Sequence, residues 1–211
     1  MRDGRDGDGR LDRLGRALSP DGTAGIVARE ALRSVLTVAL VGAILFSVSG
    51  LWPPMAAIES GSMEPEMYRG DLVFVVEEHR FSPDSTRGAT GVVTYRVGSG
   101  ADYRTFGDYG DVVVYRPNGD PGATPVIHRA RFWVNASENW YGKANPAYLS
   151  GNSCAEVPNC PAPHAGFVTK GDANDRYDQV KRISAPVRPE WIIGTAELRI
   201  PYLGHVRLAI S

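Results

Sequence analysis

PVIHRARFWV, residues 125–134, strings β-branched and aromatic side chains along ten positions with no 3.6-residue period. Gly122 lies just before it and Asn135 just after, so the run reads as a strand between turns. Working outward, the same character recurs at Asp71–Glu77, Gly91–Val97, Asp111–Arg116, Gly166–Lys170 and Trp191–Ile200. Gly, Pro, Asp and Asn separate these runs. Short strands at such spacing predict a mainly β domain, its antiparallel sheets wrapped into a barrel or sandwich. Residues from about 135 to 163 are polar and Pro-rich, and predict a long surface insertion. No internal repeat is present.

Further upstream the chain changes character. SVLTVALVGAILFSVSGLW, residues 34–52, contains no charge. At ~1.5 Å per helical residue, such a run matches the roughly 30 Å of a bilayer's hydrocarbon core. Trp52 supplies an interfacial aromatic and Pro53-Pro54 a helix stop. A cleavable signal peptide ending at Ser47-x-Ser49 is the rival reading. A long leading segment and the full spanning length favour an uncleaved anchor. Residues 1–33 then form a polar, Gly-, Asp- and Arg-rich cytoplasmic tail, whose first 30 residues show no hydrophobic period and read as mobile. Arg29 and Arg33 precede the span and the first charge after it is Glu59, which places residues 53–211 outside a cell membrane crossed once.

The chain has 211 residues, 43% of them hydrophobic and 22% charged, which excludes wholesale disorder and leaves room for one sizeable domain. A formal net charge of −1 gives no electrostatic argument for nucleic acid. Cys154 and Cys160 sit close together in a Pro- and Asn-rich stretch. Outside the cytoplasm they predict a disulfide. With no further Cys or His beside them they make a poor zinc site. Asn135-Ala136-Ser137 is a glycosylation sequon of low specificity.

The segment with the sharpest chemistry is ESGSMEP, residues 59–65, which leads into the strand at Gly70-Asp71. Gly61 permits close approach of two hydroxyls, and Pro65 can begin a turn of helix. On composition alone it could be a Ser-rich helix cap. Its place, ten residues beyond the membrane exit, argues for more. SGSMEPEMYRGDLVFV resembles the signature of type I signal peptidases, in which the serine before Met is the nucleophile, here Ser62. The resemblance continues through Val126-Ile127-His128-Arg129 and through TKGDAN, residues 169–174, on to Asp178. With the anchor it covers residues 34 to 209, and the order of the blocks is more specific than any one of them.

The second block implies the archaeal and endoplasmic-reticulum type, which has histidine where bacterial relatives place a lysine base. A lysine must be desolvated deeply to lower a pKa that starts near ~10.4. Histidine starts near ~6.5 and accepts a serine proton with little adjustment. The resemblance therefore implies His128 as base and Ser60 as an oxyanion-hole donor. Lys170 is the candidate for a bacterial-style base, but it lies in a later block than that lysine does. His79, His164 and His205 lack comparable context. Asp172, Asp175 and Asp178 all occur within a short stretch. The resemblance favours Asp178 to orient His128 and leaves Asp172 to organise the loop, with Asp175 incidental. Ser62 to His128 spans 66 residues and His128 to Asp178 spans 50, longer than the compact reticulum form. The extra length falls near residues 79–111 and 135–163.

The resemblance implies a membrane-bound serine endopeptidase. Such an enzyme would remove signal peptides from secreted preproteins after small residues, through an acyl-enzyme, with no metal or cofactor. Its partners would be preproteins and membrane lipid, with the translocon nearby. The strand Met55–Glu59 is the expected docking edge, which makes Ile58 and Glu59 candidate substrate contacts. Two other classes remain open: an idle relative that binds preproteins as a subunit, and a structural envelope β-domain in which SGSMEP is only a turn.

Overall fold

The computed structural model describes residues 23–80, 86 and 90–209. Most of the expected tail, residues 1–22, lies outside these, as do 81–85 and 87–89 within the 79–111 region. The chain divides into two units, Met1–Ser47 and Val48–Ser211.

Helix α1 is described over Thr23–Ser49, so residues 23–33, expected to belong to the tail, are helical. The stretch Ala24–Ser49, 26 residues with a mean hydropathy of 2.1, is long and apolar enough to cross a bilayer. Its polar groups turn inward on the helix. Ser34, Thr37 and Ser47 each donate a hydroxyl to the carbonyl four residues back, and Arg33 pairs with Glu30 at 2.7 Å. The helix stops three residues short of Trp52. Gly50 takes φ +78°, open to glycine at little cost, and Pro53-Pro54 cannot continue a helix. Ser49 fixes that end by donating to the Val75 carbonyl at 2.6 Å.

The second unit is built on a six-stranded antiparallel sheet. Its strands are β1 (Met55–Ala57), β2 (Leu72–Val76), β5 (Val112–Tyr115), β6 (Val126–Val134), β7 (Gly166–Lys170) and β8 (Ile192–Ile200). The spatial order is β1-β2-β8-β5-β6-β7, which leaves β1 and β7 as edges. A two-stranded ribbon, β3 (Arg104–Thr105) with β4 (Asp108–Tyr109), stands apart from it. Continuous apolar runs such as VVVY in β5 and LVFVV in β2 suit strands covered on both faces, and β5 and β7 are buried throughout. Alternate residues feed different clusters. Val112 packs with Met63, Met67 and Val73, while Val113 packs with Tyr115, Ala130 and Phe167.

Five of the six predicted runs are strands. Gly91–Val97 is not. Thr94 caps a short helix, α2 (Tyr95–Ala101), by accepting from the Val97 amide. Gly98 lies against the Gly110 backbone, where a Cβ would come within 2.7 Å. Residues 135–163, expected as a surface insertion, are mostly exposed or half-buried but also contribute to a small core. Trp140 is fully buried there and packs with Leu149, Val157 and Ala162 against Phe132, Val134 and Tyr177. Polar composition hides this core, because few apolar residues supply it and one is a tryptophan. A last short helix, α3 (Gly204–Leu208), closes the described chain.

Candidate active site

Ser62 sits in a turn that two methionines hold down. After β1 the chain keeps pairing through Ile58, which donates to Asp71 and accepts from Gly70. It then turns, Glu64 donating to Gly61 and both Glu66 and Met67 donating to Met63. Met63 and Met67 are 1% and 0% exposed in the cluster with Ile58 and Val73, which fixes the turn that carries the serine.

His128 approaches from β6. Its Nε2 lies 2.9 Å from Ser62 Oγ, and its Nδ1 lies 2.7 Å from Asp178 Oδ2. An ionised carboxylate only accepts, so Nδ1 carries the proton and Nε2 turns a lone pair to the serine hydroxyl. Asp178 is wholly buried, and its backbone amide donates to Thr169 on β7. Ser60 Oγ lies 3.2 Å from Ser62 Oγ on the exposed side. The loop after β7 closes against the pair, with the Ala173 amide donating to the Ser62 carbonyl at 3.0 Å. Gly171 is required there, since a Cβ would lie 2.5 Å from the Ser62 carbonyl oxygen and 2.9 Å from His128 Nε2.

Asp172 lies outside this chain of contacts. Both its oxygens accept from Arg129, at distances from 2.6 to 3.2 Å. Arg129 is completely buried and directs its other end to the Thr105 and Gly110 carbonyls. Lys170 stands directly across from Arg129 in the β6–β7 ladder, a placement that would repel were each cation not given its own acceptors. Its ammonium donates to the carbonyls of Gly171, Asp172 and Asn174 and lies over the Tyr148 ring. Burial first, and the nearby Arg131 second, lower its pKa. It organises the loop rather than bonding the serine.

Sequence reasoning missed Tyr115 and Gln179. Tyr115 donates its hydroxyl to Asp178 Oδ2 at 2.9 Å, and Gln179 accepts from the Thr169 amide. A tyrosine closing an otherwise apolar strand was the available signal, because a buried phenol needs a partner. Cys154 and Cys160 are joined in a disulfide. Asp175 is exposed beside Arg176, His164 packs on Trp191, and His205 lies over Gly70. Glu77, Glu78 and His79 bring three potential metal-ligand atoms within 4.8 Å of one another, but none of them lines the cleft beside Ser62.

That cleft has a volume of about 570 Å³. Ala56, Ile58, Glu59 and Ser62 line it, together with Val126, Ile127 and His128. β1 is an edge, and the β6–β7 ladder begins only at Arg129.

No protein-family model matches the chain. Among curated proteins it is similar to fungal ones named signal peptidase complex catalytic subunit. It is 27% identical to SEC11 of Schizophyllum commune over 164 residues, 75% of this chain and 65% of that relative. It is 27% identical to sec11 of Aspergillus terreus over 194 residues, which cover 87% and 83% of the two chains. With sec11 of Aspergillus oryzae the identity is 28% over 196 residues, 87% and 82%. The likeness carried by the Ser62 segment thus extends over most of the chain. These relatives are fungal and do not bear on the archaeal side of the resemblance.

Proposed function

We propose that this chain is a signal peptidase, a membrane-anchored serine endopeptidase that releases signal peptides from preproteins on the far side of the membrane from its N-terminus. One observation carries the reading: Ser62, His128 and Asp178 are hydrogen-bonded in series, and Ser62 and His128 line a cleft beside the edge strand β1. The fungal relatives' names point the same way. They also suggest that other subunits accompany the catalytic one.

An extended peptide entering the cleft lies along the edge strand β1 as a further strand. Ala56, Ile58, Met63 and Val126 make the walls apolar, which suits small apolar side chains before the cut. Ser62 Oγ attacks the carbonyl carbon while His128 Nε2 takes its proton, and Asp178 stabilises the resulting imidazolium. The Ser60 hydroxyl and backbone amides hold the oxyanion. His128 then protonates the leaving amine. Water attacks the ester, again through His128, and frees Ser62. Helix α1 confines enzyme and substrate to one membrane, which raises their effective concentration. The disulfide fits an oxidising compartment for residues 53–211.

The test is cleavage of a preprotein by membranes carrying wild-type or Ser62→Ala chain at matched levels. Processing by the wild type alone is expected. Equal processing by both, or by neither, refutes the proposal, and the second outcome with preprotein retained would favour an idle binding subunit.

A further inference from the structure

Asp178 meets two donors at one oxygen. His128 Nδ1 and the Tyr115 hydroxyl both reach Oδ2, at 2.7 and 2.9 Å. The other oxygen, Oδ1, is buried without a partner among the described residues. Rotation of the carboxylate would therefore break both contacts together. Tyr115 itself cannot move easily. It is 0% exposed on the central strand β5, packed among Val92, Val113, Ala130, Phe167 and Val187, with its hydroxyl also 3.4 Å from Thr169 Oγ1. Phenylalanine would fill that apolar cluster without burying a polar atom, so the hydroxyl needs a cause outside packing.

We propose that Tyr115 is a positioning residue of this site, a fixed donor that shares Asp178 Oδ2 with His128 and so limits how strongly the carboxylate draws the imidazole proton. The proposal rests on the signal-peptidase reading. Burial, with Asp178 beside it, pushes the Tyr115 phenol well above its ordinary value, so it remains a donor at every working pH. Lys170 on β7 also interacts electrostatically with Asp178, and it feels Arg131, Asp172 and Asp108 as well. None of these is altered by removing the phenol oxygen.

Sharing of one oxygen sets the sign. With the hydroxyl gone, Asp178 Oδ2 gives all its accepting capacity to Nδ1–H, the imidazolium is stabilised, and His128 protonates at higher pH. The experiment compares full-length wild type and Tyr115→Phe in two readouts: the acid limb of kcat/KM for preprotein cleavage, and the titration of 15N-labelled His128 by NMR. The limb and the NMR midpoint should both rise by about half a unit or more. The kcat should fall about tenfold, the order of one charge-assisted hydrogen bond, with KM unchanged. Tyr115→Leu supplies a second arm should the first variant fold poorly. A midpoint at or below the wild-type position in either folded variant overturns the proposal, whatever the rate does. Because NMR reads the protein directly, it still decides the role of Tyr115 if the wild type cleaves nothing, an outcome that would count against the proposed function alone.

Discussion

Arg129 grips Asp172 with two nitrogens, Nε at 3.0 Å and Nη2 at 2.6 Å, while the neighbouring residue in β6, His128, takes Asp178. Consecutive strand residues leave opposite faces of a sheet, so one step along the chain sorts two similar carboxylates into two different tasks. Asp178→Ala should therefore lower the cleavage rate on the order of 10⁴-fold, as loss of a triad carboxylate does in serine proteases. Asp172→Ala should act chiefly on stability, because it leaves a buried guanidinium short of its counter-ion, a change that costs roughly 3–5 kcal/mol. Initial rates and thermal melts of the two variants separate the effects. Equal, severe rate losses in two well-folded proteins would contradict the division.

The two serines should differ in kind. Ser62→Ala removes the attacking oxygen and should abolish turnover. Ser60→Ala removes one oxyanion donor, which typically costs roughly 10²–10³ in rate. Single-turnover cleavage at matched protein levels measures both. A dead Ser60→Ala beside an active Ser62→Ala would reverse their roles.

His128→Ala should eliminate cleavage and His128→Lys should not restore it. A lysine starts near ~10.4, and nothing in a site shaped around imidazole and Asp178 would strip its proton at neutral pH. Lys170→Ala should lose activity through its loop rather than its proton. Full cleavage by His128→Ala together with loss in Lys170→Ala would instead establish a serine–lysine dyad.

Asp111 should make stability depend on pH in an unusual direction. Burial raises its carboxyl to about 6 from an ordinary 3.8, against the lowering effect of hydrogen bonds from the Val93 amide and the Tyr103 hydroxyl. The folded form thus takes up a proton between about 6 and 4 that the unfolded chain takes only lower down. In that window this residue's contribution to stability rises as pH falls. The melting-temperature difference, wild type minus Asp111→Asn, should grow between about pH 7.5 and about pH 5. A constant or shrinking difference would refute this.

Much of the candidate site is legible in the sequence, because its blocks are local. Ser60, Ser62 and His128 sit in short motifs whose residue types state their chemistry, and the runs at 71–77, 111–116 and 166–170 are strands as their β-branched content implies. What escaped depends on contacts far apart in sequence. Three aspartates within seven residues are alike until β6 decides which of them meets arginine. Tyr115 lies 63 residues from Asp178 and gains its meaning only from β5 pairing with β6. Gly91–Val97 looked like a strand because its side chains suit one. Asp111 instead holds the Val93 amide at 2.7 Å and Thr94 starts a helix. In residues 135–163, a handful of apolar side chains among many polar ones gave no period to read, yet they bury a tryptophan.

The adjacency of His128 and Arg129 also governs which lengths of chain the protein can gain or lose. The segments 79–111 and 135–163 separate the blocks that hold Ser62, His128 and Asp178, and loops accommodate added length at small entropic cost. Within β6 the ladder allows no such freedom. One residue inserted just ahead of His128 while the β5–β6 pairing held would turn the imidazole to the face now held by Arg129 and the guanidinium toward Asp178. An insertion-and-deletion scan would accordingly map positions in β6 just ahead of His128 as far less extensible than exposed loop positions.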